Sequence, residues 1–559
     1  MRRAALLLLL AGCATVRPYS PKPIVLRDTD LDPVNVACTK RPSEKDPNHV
    51  SCAPEPYVSP LAWDAADNTF FRPLAKIWAV DPPQEARNVN ALDEVPDSAW
   101  FTNRIGKRHP PAEELARGAC KPDDMLDPDT AEEGDFVIDQ GKPNGASPGF
   151  RVKIGGKTAP ASPGKKYMFK TDFAKEPERP SAAAAIGTAA YYAVGFNTSC
   201  EQVLYVPPSA FKLMPNLKVT ANDGVTRPFD QEALEKVYGQ AVKKGDRYRF
   251  QASAWLGGYL LGPFKYEGTR SDDPNDIIPH EDRRDLRGGR LLAAWLHHFD
   301  AREQNSMDAW MASDKAHPES SPGWVKHYYL DTSDCLGSVW DWDGISRRMG
   351  DSYLLDWQDI GVDFATFGLV ERPWERKRME PGMEMFGYFS AREFDPERWR
   401  NEYPNPAFSR ATEHDNAWMA RILSRFDRAD IVTLVKIGKF SRQDAEDYLV
   451  DVLEQRLRKI LLRYLTVLSP IADVHVEDGH RVCGVDLARR RALQPVEQYS
   501  YRAGAFGLDV QPEGKLCVTV PPGTEHVRIE SSAAKGVLDI QLHASANGVE
   551  VAGLHRLDP

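Results

Sequence analysis

Beyond its first dozen residues the 559-residue chain has no long apolar run, and its mean hydropathy is −0.49, which excludes a multi-span membrane protein. No basic block stands out and the net charge is −10, so nothing in it points to nucleic acid. Its eight cysteines nowhere take metal-ligand spacing. His280-Glu281 opens an H-E-x-x-H motif that Arg284 breaks where the second histidine belongs, which argues against zinc. What is present is globular: 42% hydrophobic and 27% charged residues, in a chain too long for one ordinary core, so two to four domains are expected.

The N-terminus is built differently. Met1-Arg2-Arg3 is a positive leader, Ala4 to Ala11 a short apolar stretch, and Leu10-Ala11-Gly12-Cys13 closes it with small residues before cysteine. This resembles a bacterial lipoprotein signal, and the resemblance implies that Cys13 becomes the lipidated first residue of the mature chain. An ordinary secretory signal is the alternative. Ala14, standing where Asp would retain such a protein, implies outer-membrane sorting. The expected location is therefore the bacterial cell envelope, with the membrane held through the N-terminal lipid. In an oxidising compartment the other cysteines can pair. Sequence proximity favours Cys38–Cys52, then Cys483–Cys517; Cys120–Cys200 follows by elimination, and Cys335 reads as a buried thiol.

Candidate chemistry concentrates between His298 and Asp331. His298-Phe299-Asp300-Ala301-Arg302-Glu303-Gln304-Asn305 fits H-x-D-x-x-x-x-N, and Asp331 follows the apolar run Tyr328-Tyr329-Leu330. Phosphoryl transfer needs one carboxylate to take the acceptor's proton and further oxygen ligands for divalent cations. A short loop after a helix can present the base and one ligand, and a following strand the second. The structural alternative is a helix end capped by Asp300 with Asn305 in a turn.

Upstream, Phe136 to Asp139, Phe150 to Ile154 and Tyr167 to Lys170 read as strands. The loop between the first two carries Gly141, Gly145 and Gly149, whose backbone could approach phosphates, while Lys170 could neutralise them. The spacing is not G-x-G-x-x-G, and a plain hairpin with a solvated lysine is the alternative. Pro180 to Gly195 reads as an Ala-rich helix without an acidic residue; Glu176 or Glu178, just upstream, could reach Lys170, and the lysine's partner is left open. Residues 14–90 read as tether and irregular chain. Asp272-Asp273-Pro274-Asn275-Asp276 predicts an Asx-turn loop before a helix from Leu286 to His297. Trp310 to Ala312 and Trp324 to Leu330 predict a hairpin. Helices are expected over 415–426 and from a Ser441 cap, with Asp444 completing a capping box, to Leu465. Alternation from about Val474 predicts a small β domain.

Taken together, residues 96–465 resemble the protein-kinase-like superfamily, nearest its atypical bacterial members. More narrowly, Asp272-Asp273-Pro274-Asn275-Asp276, Trp295-Leu296 with His298 and Asp300, and Tyr403-Pro404-Asn405-Pro406-Ala407-Phe408 resemble a family of uncharacterised exported bacterial lipoproteins. The resemblance implies an α+β fold: a bilobal kinase-like core with a small β-rich lobe (91–215), a larger helical lobe (216–470), and a C-terminal β accessory domain (471–559), after the signal (1–13) and tether (14–90). It implies Asp300 as catalytic base, Arg302 in place of the loop lysine, Asn305 and Asp331 on Mg2+ or Mn2+, and ATP held by Lys170 and the Gly141–Gly149 loop. The missing helix Glu, and Thr332-Ser333 where Phe-Gly is usual, leave a non-catalytic pseudokinase or scaffold as the alternative. The phosphate acceptor, protein or small molecule, is not specified.

Overall fold

Apolar–polar alternation over residues 136–170 builds the first layer of this computed structural model, which describes residues 23, 29–36, 39–40, 50–51, 54–77, 84–143, 147–155, 163–220, 224–317 and 321–559. With 30% helix and 23% strand, the chain is α+β. The segment before residue 90 holds more regular structure than its composition predicts. Two short helices, α1 (Leu61–Ala66) and α2 (Arg72–Lys76), are joined by a π-helical turn, Asp67–Phe71. Cys13, Cys38, Cys52 and Gly145 lie outside the described residues.

The first large sheet is curled and seven-stranded. Its strands are β1 (Phe136–Gly141), β2 (Gly149–Ile154), β3 (Lys166–Lys170), then after helix α3 (Arg179–Val194), β4 (Glu201–Val206), β5 (Phe211–Leu213), β6 (Lys243–Lys244) and β7 (Arg247–Ala254). The order is β6-β7-β3-β2-β1-β5, with β4 also on β7. Phe136, Phe150, Phe169 and Phe250 pack together in one buried cluster against it. The sheet draws on residues well past 215, since β7 lies between β3 and β4. Gly195 ends α3 at φ 151°, a conformation open chiefly to glycine.

Two of the sheet's glycines have packing reasons. A Cβ on Gly141 would meet the Phe229 ring at 2.5 Å, and one on Gly149 would meet the Phe169 carbonyl oxygen at 2.2 Å. A flexible ring can yield; a backbone carbonyl in a ladder cannot. Gly149→Ala is therefore expected to cost about 1–3 kcal/mol, read as a lowered urea midpoint, and an unchanged midpoint would refute the argument.

The second layer is helical. Short strand β8 (Tyr259–Gly262) leads through the 264–282 loop to α4 (Arg284–Leu296), followed by the hairpin β9 (Ser306–Ala312) and β10 (Gly323–Tyr329). Beyond it come α5 (Trp357–Thr366), α6 (Glu413–Leu423), α7 (Arg428–Lys436) and the long α8 (Gln443–Tyr464). α3, α4, α6 and α8 share one apolar core around Trp295, Trp418 and Leu457. The expected Ser441 cap is not formed: α8 starts after Arg442, and Ser441 donates its N–H and hydroxyl to Glu178 at 2.9 and 3.2 Å. A buried carboxylate outcompetes the helix terminus for that serine.

Residues 471–557 form two four-stranded antiparallel sheets around Val518, Ile529 and Ile540. Cys483 and Cys517 face each other across adjacent strands and are bonded, as are Cys120 and Cys200. Cys335 is a free, buried thiol.

Candidate functional site

Three segments bring charged side chains to the place where β3 ends and the loops after α4 and β10 begin. Lys170 is the last residue of β3, in register with Gly149 on one side and Gln251 on the other. Its Nζ lies 2.9 Å from Asp331 Oδ2. Burial alone would lower this ammonium, but the Asp331 and Glu201 carboxylates outweigh it and hold it above the ordinary lysine range. Burial likewise pushes Asp331 up, and Lys170 overrides it, holding the carboxyl well below the usual range.

Neither upstream glutamate serves Lys170. Glu176 pairs with Arg179 and accepts from the Val339 N–H, and Glu178 is engaged by Ser441. α3 begins with these residues turned toward the helical layer, so the lysine's partner comes from the far side of the cleft.

Asp300 and Asn305 form a unit. α4 stops at His297, whose left-handed φ of 60° turns the chain sharply, and His298 is tied by its Nδ1 to the Tyr191 hydroxyl at 2.9 Å. Burial pushes His298 down to about 4, so it is a neutral prop for the turn at pH 7. Asn305 Nδ2 donates to the Asp300 carbonyl at 2.8 Å and to its Oδ2 at 2.7 Å. Those bonds use the amide's donor end; its oxygen is the ligand atom a hard cation would take. The Leu330 N–H donates to the Asn305 carbonyl at 2.9 Å, which splices the Asn305 turn to the strand end carrying Asp331. Asp331 itself has φ 39°, a left-handed conformation unusual for a non-glycine residue and frequent where function holds it.

Arg302 is engaged within the protein. Its guanidinium meets Asp300 Oδ1 at 2.5 Å and also pairs with Glu402.

The sequence pattern did not single out Asp334 or Lys142. Asp334 stands three residues after Asp331 and in carboxyl contact with Asp300. Burial and this neighbour hold the Asp300 carboxyl well above its ordinary range. Lys142 leaves β1 beside Gly141 and donates to the Ser147 carbonyl at 2.6 Å. Burial and the Lys170 charge push it down to about 8. The signal for Asp334 was its short spacing from Asp331; for Lys142 it was adjacency to the first loop glycine. Asp300, Asn305, Asp331 and Asp334 carry oxygens of the kind a divalent cation takes, but Asp300, Asp331 and Asp334 do not bring three ligand atoms within 4.8 Å of one another, and Asp331 is already held by Ser333 and Lys170. Lys142 and Lys170 carry charges of the kind phosphate takes.

Compared with protein-family models, curated proteins and solved structures, the chain matches none.

Other features lie apart from this constellation. A cavity of about 730 Å3, walled by Tyr57, Lys265, Arg270, Asp272 and His280, opens on the other side of the 264–282 loop. There His280 is bonded to Asp276 at 2.7 Å, and Asn275 N–H closes the expected Asx turn on Asp273 at 3.0 Å.

Immediately after Arg302, a second acidic cluster joins the N-terminal segment to the loop. Glu303 accepts from Ser59 Oγ at 2.7 Å and the Tyr57 hydroxyl at 3.3 Å, and Asp64 accepts from the Tyr403 hydroxyl at 2.6 Å. Burial and the neighbouring Asp64, against a weaker pull from Lys265, push Glu303 up to about 7. A carboxyl raised on folding favours the folded state while it keeps its proton. Stability should therefore fall as pH rises from about 4.5 to 7, by about 2–3 kcal/mol from this group. Glu303→Gln is expected to flatten that fall in urea melts across this window; an unchanged slope would refute it.

Proposed function

We propose that the chain is an exported, lipid-anchored protein whose core binds ATP with Mg2+ or Mn2+ and transfers its terminal phosphoryl group. In this reading the curled sheet is the small lobe of a kinase-like core, the α4–α8 layer is the large lobe, and residues 471–559 are an accessory β domain. The observation that carries it is the Lys170–Asp331 pair at 2.9 Å, joined through the Leu330–Asn305 backbone bond to the Asn305–Asp300 unit. Lys170 and Lys142 would hold phosphate oxygens, with the Gly141, Gly145 and Gly149 loop above them. Asn305, Asp331 and Asp334 would hold the cation, which when bound neutralises charge on the phosphates. A cation held beside it would favour the ionised form of Asp300, leaving that carboxylate able to accept the acceptor's proton. Arg302 would keep Asp300 oriented.

A second reading, binding without turnover, is favoured by the engagement of Arg302 with Glu402 and by Thr332, which is buried and donates to the Ala184 carbonyl at 3.0 Å. That bond stiffens the turn which a catalytic cycle would flex.

The test is thermal stability of the full chain with ATP, with and without Mg2+ or Mn2+. We expect an upward shift that requires the cation and disappears in Asp331→Ala. No cation-dependent shift in the wild type would overturn both readings; a shift without phosphate release or transfer would select the second.

A further inference from the structure

Helices α1, α2 and α5 present large apolar side chains to solvent, and α1 is seated by its polar side. In α1 and the π turn the buried residues are Asp64, Asn68 and Thr69, while Trp63, Phe71, Leu74 and Ile77 face out, more than half of each exposed. Asp64 is held by Tyr403, Gln304 and Asn68, so hydrogen bonds seat this helix where an apolar stripe ordinarily would. The charged edge of α5 is pinned by Arg372 to Asp359 at 3.3 Å and Asp363 at 2.8 Å, with Ser352 also on Asp359. No residue of α5 is buried, and Phe364, Phe367 and Leu369 are 85%, 91% and 86% exposed. Trp357, Ile360, Phe364 and Phe367 recur at three- and four-residue intervals, forming one stripe.

The two faces join. Phe70 packs edge-on to Trp357 at 5.3 Å, and Trp357 Nε1 donates to the Thr69 carbonyl at 3.1 Å. The result is a continuous aromatic and aliphatic surface of a kind that soluble monomers seldom leave bare.

We propose that this surface lies on a phospholipid bilayer, with α1–α2 and α5 parallel to the membrane and their rings at the headgroup boundary. The choice of a bilayer rests on the lipid-anchor reading above. α1 is the first α-helix among the described residues after Cys13, and about 48 residues of chain confine it to within roughly 170 Å of the lipid that Cys13 would carry. Such tethering raises the local concentration of surface and bilayer for each other. The residue types agree: Trp and Phe on one side of short helices, carboxylates and arginine on the other, is the pattern of helices that lie in the interface. No described helix is long and apolar enough to cross a membrane, so the contact is one of lying on it. The inward side of α1 is bonded through Asp64 to Gln304, one residue before Asn305, so docking would set the orientation of the candidate site relative to the membrane.

The experiment uses the full chain reconstituted in vesicles of phosphatidylethanolamine with a minority of phosphatidylglycerol. An environment-sensitive fluorophore is placed at Phe367→Cys, and in the C-terminal sheets at the exposed Glu525→Cys, with unsubstituted protein reporting background labelling. We expect a blue shift at residue 367 that is quenched by bromine-bearing acyl chains, and a fully aqueous signal at 525. Adding Phe364→Glu and Leu369→Glu should abolish the shift at 367 while protein stays with the vesicles through its anchor. An aqueous signal at 367 overturns the proposal, as does a blue shift that depends on protein concentration without vesicles, which would assign the surface to a second copy. Intact mass at Cys13 reports separately whether the anchor exists, so loss of the lipid and loss of the docking face give different results.

Discussion

Asp93→Ala is expected to destabilise the protein by about 3–5 kcal/mol, because it leaves buried guanidinium groups without their counter-ion. Asp93 Oδ2 receives Arg421 at 2.8 Å and Arg556 at 2.9 Å, and its Oδ1 pairs with Arg284. Those three arginines come from α6, from the final strand and from the first turn of α4, so one carboxylate joins the C-terminal sheets to the helical core. Burial opposes its ionisation, yet the three cations hold it well below the usual carboxylate range. They do not share it equally. Arg284, which also has Asp415 at 3.2 Å, is held up, whereas burial and the adjacent Arg421 bring Arg556 down to about 10. The sign follows from the depressed carboxyl. Its stabilisation is complete above the unfolded value near about 3.9 and is lost as pH falls toward the folded one. Urea unfolding at pH 7 and pH 3 checks both statements: the mutant should lose most at pH 7, and a midpoint equal to wild type there would refute the role.

Lys170→Met is expected to abolish the cation-dependent nucleotide shift outright and to lower stability by a smaller amount. The side chain of Asp331 is 38% exposed, so water screens what the lost ammonium leaves behind. The cost is therefore about 1–2 kcal/mol, well short of that for a fully buried orphan charge. Asp331 should then titrate closer to an ordinary carboxyl, and the part of its stabilisation that persists at low pH in the wild type should disappear. The double variant Lys170→Met with Asp331→Asn should recover stability without recovering the nucleotide shift. Recovery of both would mean that the pair serves packing alone. Loss of the shift in either single variant, with fold retained in the double, separates ligand binding from structural support.

Much of the local structure could be read from residue order. The β1–β3 strands, the Ala-rich α3 with its glycine stop, and the β9–β10 hairpin follow from contacts between near neighbours, and the structure forms them close to the expected bounds. Asp300 and Asn305 were both singled out by their spacing, but their bonds to each other emerged only with the fold. The partner of Lys170 stayed open, and Glu176 and Glu178 are engaged elsewhere, because proximity in sequence says little about which way a helix start faces. Ser441 was misassigned because a capping pattern competes with any buried carboxylate that folding brings near. Asp334 was missed because a carboxylate becomes notable only when burial places another beside it.

The chain's own order of residues settled most of the local elements and the short loop from Asp300 to Asn305. Folding settled who meets whom: Asp331 reaches Lys170 across 161 positions, and Asp93 gathers arginines from three separate elements. It also settled which side of α1 and α5 faces out, since an amphipathic pattern specifies two faces but leaves open which is covered. Helix and strand periodicity arise from interactions a few residues apart, whereas charge pairing and burial depend on distances that exist only after distant segments have packed.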